Sequence, residues 1–241
     1  MARIYIPKER ITPEEIALKP REIRYLIKVL RLGEGDEVTV FDGEGREYRA
    51  RLLEEGGFYL QVEEEMEPQR ESPLSITLAQ GVLKGEKMKW VIQKATELGV
   101  RRIVPLFLAR SVPVWEEERG KEKISKWQLI AQEAAKQSNR TVVPEVTGAM
   151  SLEKFLTEAQ GLKILLWEEE RRGLRELLKD ISPSPEVTLV IGPEGGFTEE
   201  EVILFQQEGF LVAGLGKRIL RAETAALAAL AILQHLYGDL G

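Results

Sequence analysis

The side chains available for chemistry in this chain are few in kind. Among 241 residues there is no cysteine and a single histidine, His235. Thiolate nucleophiles, disulfides and cysteine-bound zinc are thereby excluded, and a Ser-His-Asp triad or a His-rich metal site is disfavoured. The remaining candidates gather in two runs near the C-terminus. The first, Val187-Thr-Leu-Val-Ile-Gly-Pro-Glu-Gly-Gly-Phe-Thr198, contains Gly192, Pro193, Glu194, Gly195 and Gly196. The second, Leu215-Gly-Lys-Arg-Ile-Leu-Arg-Ala-Glu-Thr-Ala225, contains Arg221, Glu223 and Thr224. Such glycines supply positive-φ backbone and let a ligand come close to the main chain. The first run is no P-loop, because no Gly-Lys-Ser/Thr follows it, and it is not the Gly-x-Gly-x-x-Gly dinucleotide fingerprint.

The elements that position these runs follow from patterning. Val187 to Ile191 is short, apolar and bounded by turn residues, which predicts a buried strand. Thr198 with Glu201 three residues on forms a capping-box signature for a helix that Gly209 closes. Phe210 to Leu215 then returns as a strand, so the two loops are expected at the carboxyl ends of neighbouring strands, where open α/β sheets bind ligands. Upstream, strands at 75–82, 102–108 and 163–167 alternate with helices at 86–98, 123–138, 152–159 and 174–180. A final helix covers 223–237, with His235 partly buried on it. This rhythm predicts a parallel sheet covered on both faces.

The first part of the chain reads differently. A short strand covers 3–7, and strands at 36–41, 46–53 and 58–62, separated by glycine turns, predict a small antiparallel β unit. A helix over 21–32 places Arg21, Arg24, Lys28 and Arg31 within a sector of ~80° opposite its apolar side, a face suited to phosphates. The stretch from Glu63 to Pro73 is acidic, has two prolines and lacks periodicity, so it is expected to link domains 1–72 and 73–241. The net charge of −6 argues against a uniformly basic nucleic-acid coat but leaves room for a local basic stripe. No apolar run approaches the ~20 residues of a membrane span. The start carries no signal-peptide pattern, which points to the cytoplasm.

GPEGGFT followed by LGKRILRAETAALAAL resembles the C-terminal half of knotted, SPOUT-type RNA methyltransferases. More narrowly, it is similar to the family that methylates N3 of a uridine in small-subunit (16S) ribosomal RNA. Lys94-Ala-Thr-Glu-Leu-Gly-Val100 and Glu133-Ala-Ala-Lys-Gln-Ser-Asn-Arg140 fit that family as well. The histidine it usually carries before Val29-Leu30-Arg31 is absent; Arg24-Tyr25 stand in that neighbourhood. The resemblance implies an α/β fold with a knotted C-terminal parallel-sheet domain and a small N-terminal PUA-like β-barrel that binds RNA. It implies S-adenosylmethionine held by three loops: Leu166 and Trp167; Gly192, Pro193, Glu194, Gly195 and Gly196; and Leu215, Gly216, Ile219 and Leu220, with Thr224 beyond. Ile219 and Leu220 would pack on the adenine faces. It also implies a homodimer, for which the small residues of Ala222 to Leu233 would allow close helix packing.

Uridine N3 is a weak acid, so the catalyst must remove its proton or stabilise charge on the flanking carbonyls. Glu194 or Glu223 is the candidate base, and Arg221 or Arg140 the candidate charge stabiliser or phosphate holder. Two rivals remain from sequence: a knotted ribose 2′-O-methyltransferase, and a catalytically inactive RNA-binding or ribosome-assembly protein.

Overall fold

The computed structural model describes residues 2–111 and 117–241, the side chain of Glu117 excepted. The chain forms two compact units, Met1–Glu71 with Ala135–Val143, and Ser72–Ala134 with Pro144–Gly241.

The first unit is a five-stranded mixed sheet. Its strands are β1 (Ala2–Tyr5), β2 (Glu15–Ala17), β3 (Glu37–Phe41), β4 (Glu47–Glu54) and β5 (Phe58–Met66), in the order β1-β3-β4-β5-β2. The expected antiparallel unit is present as β3-β4-β5, and the short strand β1 adds to it in parallel on β3. Alternation buries Val38, Val40, Ala50, Leu52 and Leu60 in one core with Ile6, Ile16 and Leu26. Strand β5 runs on to Met66, opposite Glu47, so the acidic stretch begins as strand rather than linker. Cross-strand ion pairs explain this: Arg51 meets Glu63 at 2.7 Å and Arg49 meets Glu64 at 2.6 Å.

The expected helix over 21–32 is shorter and less regular. Helix α1 (Pro20–Arg24) passes into a single π turn, Tyr25–Val29, and the Leu30 amide donates to the Tyr25 carbonyl at 3.0 Å. Arg31 lies outside the helix with φ of 59°. The four cations therefore do not share one α-helical face, although all four side chains are exposed.

The second unit is a parallel α/β sheet. Its strands are β6 (Ser75–Gly81), β7 (Arg102–Phe107), β8 (Glu145–Val146), β9 (Met150–Ser151), β10 (Leu162–Leu166), β11 (Glu186–Ile191) and β12 (Leu211–Ala213). The order is β12-β10-β11-β6-β7-β8, with β9 also on β7. The helices are α2 (Lys87–Glu97), α3 (Glu117–Gln137), α4 (Leu152–Glu158), α5 (Leu174–Lys179), α6 (Glu199–Gln207) and α7 (Ala222–Tyr237). Strand β11 is buried on both faces, as its unbroken apolar run requires. The Thr198 capping box is present: Glu201 N–H donates to Thr198 Oγ1, and Thr198 N–H to Glu201 Oε2. His235 is exposed, not partly buried, with Nδ1 2.8 Å from the Leu240 carbonyl.

One topological expectation is corrected. Strands β11 and β12 are not neighbours, because β10 lies between them. The chain leaving β10 also runs alongside the chain leaving β12, with Gly173 and Gly214 forming a parallel bridge. Trp167 N–H donates to the Ala213 carbonyl (3.0 Å), Gly214 N–H to that of Arg172 (2.8 Å), and Leu174 N–H to that of Gly214 (2.8 Å). A Cβ at Gly214 would collide with the Glu170 carbonyl oxygen, so the close approach needs glycine.

In the first unit the Arg140 guanidinium donates to Glu71 Oε2 at 2.7 and 3.0 Å, both side chains being largely buried. Burial alone would raise the Glu71 pKa. The Arg140 hydrogen bonds and charge, with the Val142 and Thr141 amides, outweigh burial and hold the carboxyl below its ordinary value. A depressed folded-state pKa stabilises at pH above the ordinary value, and that contribution is lost as acid protonates the folded carboxylate. Denaturant unfolding across acidic pH should therefore show stability falling below about pH 4.5, the ordinary glutamate value. Glu71→Gln should shrink this acid-dependent loss and cost about 3 kcal/mol at neutral pH, since the buried guanidinium loses its ion pair with Glu71. An unchanged pH profile would contradict this assignment.

Candidate cofactor and active site

Three loops at the carboxyl ends of β10, β11 and β12 enclose a cavity of about 550 Å³. The loop after β11 is fixed from several sides. Pro193 to Gly196 is a turn closed by Gly196 N–H to the Pro193 carbonyl (3.0 Å), and Gly196 sits at φ of 70°. Phe197 then plunges into the core, its ring 5.8 Å from Phe205 in an edge-to-face contact. Behind the loop, the fully buried Gln80 amide donates to the Gly81 and Gly192 carbonyls, both at 3.1 Å. Arg110 donates to the Gly195 carbonyl at 3.0 Å. The neighbouring strand approaches so closely that a Cβ on Gly81 would lie 2.5 Å from the Pro193 nitrogen.

Ten of the twelve residues expected to hold a cofactor line the cavity: Leu166, Trp167, Gly192, Pro193, Glu194, Gly196, Leu215, Gly216, Ile219 and Leu220. Gly195 does not line it, because its backbone faces Arg110. Thr224 is exposed on α7 and is also outside the lining. Ile219 stands at the rim, 84% exposed, instead of packing inside.

Of the four expected catalytic residues, Glu194, Arg221 and Glu223 line the cavity. Arg140 does not; it is buried in the first unit on Glu71. Lys87, at the start of α2, was not anticipated. Its ammonium lies 3.3 Å from Glu194 Oε1 and 3.8 Å from Glu223 Oε2. Nothing local marks Lys87, since the fold alone brings it to residues more than a hundred positions away. Glu168 and Arg218 also line the cavity, Glu168 directly after Leu166 and Trp167 and Arg218 inside the loop from Leu215 to Leu220.

The two carboxylates differ. Partial burial would raise the Glu194 pKa. The Lys84 amide (3.1 Å), its own amide and the Lys87 ammonium overcome that effect and hold it below the usual value. Glu194 is therefore an anion already engaged in structure and a poor proton acceptor. Glu223 Oε2 is buried and accepts no hydrogen bond among the described residues. Among those residues no group of three metal-ligating side chains occurs, and no helix is long and apolar enough to cross a membrane.

A parallel sheet whose strand ends form a glycine-turn cavity makes this an α/β domain of the SPOUT type. Residues 70–234 match the family model of an RNA methyltransferase domain, and residues 18–65 that of an RNA methyltransferase PUA domain. Ribosomal RNA small subunit methyltransferase E of Bacillus subtilis is 32% identical, over 98% of this chain and 96% of its own length. A crystal structure of the same enzyme from Neisseria gonorrhoeae, bound to S-adenosyl methionine, superposes with a TM-score of 0.88, at 34% identity and full coverage of both chains. A methyltransferase from Legionella pneumophila in complex with SAM gives 0.89 at 38% identity, over 99% of this chain and 98% of that one. The chain belongs to the ribosomal RNA small subunit methyltransferase E family.

Gly81→Ala should displace the Pro193 turn, since backbone nitrogen cannot swing aside as a flexible side chain does. We expect a loss of about 1–3 kcal/mol in denaturant unfolding, the range for overpacking. Unaltered stability would show that the turn is free to move.

Proposed function

We propose that this protein methylates N3 of a uridine in 16S ribosomal RNA, using S-adenosylmethionine bound in the three-loop cavity. The observation that carries the reading is the cavity itself, which assembles the glycine turn, the Leu215–Leu220 loop and the Leu166–Trp167 strand end around one space. Its features suit the cofactor. Main-chain groups of glycine-rich loops can read an adenine edge, apolar Leu166, Ile191 and Leu220 offer surfaces for its faces, and Glu223 keeps an unused buried acceptor oxygen.

Bound S-adenosylmethionine supplies an electrophilic methyl group on a sulfonium. The chain's residues then have three tasks. The loops align donor and acceptor for in-line displacement, which contributes much of the acceleration. Glu223 accepts the N3 proton; Glu194 is excluded from that role by its ties to the Lys84 amide and Lys87. Arg221, at the N-terminus of α7 and on the cavity wall, stabilises negative charge growing on a flanking carbonyl oxygen, assisted by the helix dipole.

The remainder of the reading concerns assembly. The PUA domain would hold RNA through Arg21, Arg24, Lys28 and Arg31, exposed cations without an acidic partner among the described residues. A homodimer would cover Trp90 on α2 and Leu236 and Leu240 at the end of the chain, which are 42%, 47% and 42% exposed. The enzyme would work in the cytoplasm, where ribosomal subunits are assembled.

Calorimetric titration with S-adenosylmethionine should give one site per chain. Gly196→Val, which forces a β-branched residue to positive φ against Glu168, should abolish binding. Absence of binding to folded wild-type protein would overturn the enzyme reading. Glu223→Gln should retain cofactor binding while kcat falls by about 10²–10⁴-fold, the span of general-base contributions. An undiminished kcat would remove Glu223 as the proton acceptor.

A further inference from the structure

We infer that the loop joining β12 to α7 is a phosphate grip for RNA, with Lys217 and Arg218 as its ligands; this rests on the RNA substrate proposed above. The loop is tethered at both ends. Gly214 is bonded through its N–H and its carbonyl to the 172–174 segment, and the Arg221 carbonyl accepts from the Ala225 amide at 2.8 Å as α7 begins. Between these anchors the chain stands away from the rest of its unit. A Cβ at Gly216, where φ is 97°, would find no atom within 4 Å.

The charged side chains on this projection are all of one sign. Lys217, Arg218 and Arg221 are exposed, and among the described residues no carboxylate lies within ion-pair distance of them. Lys87, which lines the same cavity, is by contrast shared between two carboxylates. Acidic residues outnumber basic ones by 40 to 34 in this chain, so ample carboxylate exists to neutralise the loop, yet none is placed there. Adjacent uncompensated cations repel each other in the free protein, and a docked phosphodiester relieves that repulsion while releasing its own counterions.

Position selects the anion. Arg218 lies on the cavity lining and Lys217 immediately outside it, so an anion held here is continuous with whatever enters the site. A base whose ring nitrogen must reach a cavity has to leave its stack, which exposes the phosphates on either side of it. Ile219, 84% exposed beside the two cations, offers an apolar surface to the bases left behind. The loop thus provides charge for the backbone and an apolar tip for the gap. An acidic peptide would satisfy the charge but would leave the cavity without purpose.

The test is binding of transcribed 16S ribosomal RNA to the full-length protein across a salt series. Lys217→Gln with Arg218→Gln should weaken binding and reduce the slope of log K against log salt by about 1.4–1.8, at 0.7–0.9 per lost phosphate contact. Lys217→Gln alone should reduce it by about half as much and, being outside the lining, should bind S-adenosylmethionine like wild type, which confirms an intact site. Lys217→Arg should restore the slope, and Lys154→Gln, an exposed lysine on α4, should leave it unaltered. Wild type that binds RNA while the double variant keeps its affinity and slope would overturn the grip alone. Wild type that binds no RNA at any salt would overturn the grip together with the function it rests on.

Discussion

The structure depends on one close backbone contact. The chain emerging from β10 runs beside the chain emerging from β12 at Gly214, where main chain meets main chain without a side chain between them. Because the contact is made by hydrogen-bonded peptide groups, the two loops cannot separate without leaving N–H and C=O groups unpaired. Strand β10 pairs with both β11 and β12, and the three strand ends open onto one cavity. A second approach of the same kind, Gly81 against Pro193, fixes the glycine turn from the other side. The cavity is therefore defined by backbone, which is a suitable way to hold a nucleoside whose polar edge matches peptide donors and acceptors.

Charge is distributed unevenly around this backbone frame. Inside, Lys87 ties together carboxylates from the glycine turn and from α7, and Glu194 is committed to the Lys84 amide as well. Glu223 keeps a buried oxygen free of hydrogen bonds among the described residues. At the rim the balance reverses to uncompensated cations. An acidic protein can in this way present a locally basic entrance, which favours docking of a polyanion at the site over general adhesion to nucleic acid.

Much of this was legible in the residues. The buried β11 strand, the Thr198–Glu201 capping box and the loop glycines are local patterns, and local patterns predict local structure. Adjacency was not legible: β12 follows β11 in sequence, but β10 intervenes, because strand pairing is a non-local event. Lys87 was missed for the same reason. Arg140 lies in a run that resembled the family, yet in this structure its guanidinium is engaged by Glu71, a partner that spacing could not reveal. The helix over 21–32 failed differently, since a π turn shifts every residue after Arg24 away from the α-helical face that the periodicity implied.

The central claim is that a methyl group arrives on the base nitrogen of a uridine, and product analysis tests it most directly. Purified protein would be incubated with methyl-labelled S-adenosylmethionine and either naked 16S RNA or assembled small subunits, and the RNA digested to nucleosides for chromatography with mass detection. The account predicts labelled 3-methyluridine as the product. Label in 2′-O-methyluridine would place the chemistry on the ribose, and unlabelled RNA from a protein that binds the cofactor would contradict the assignment altogether.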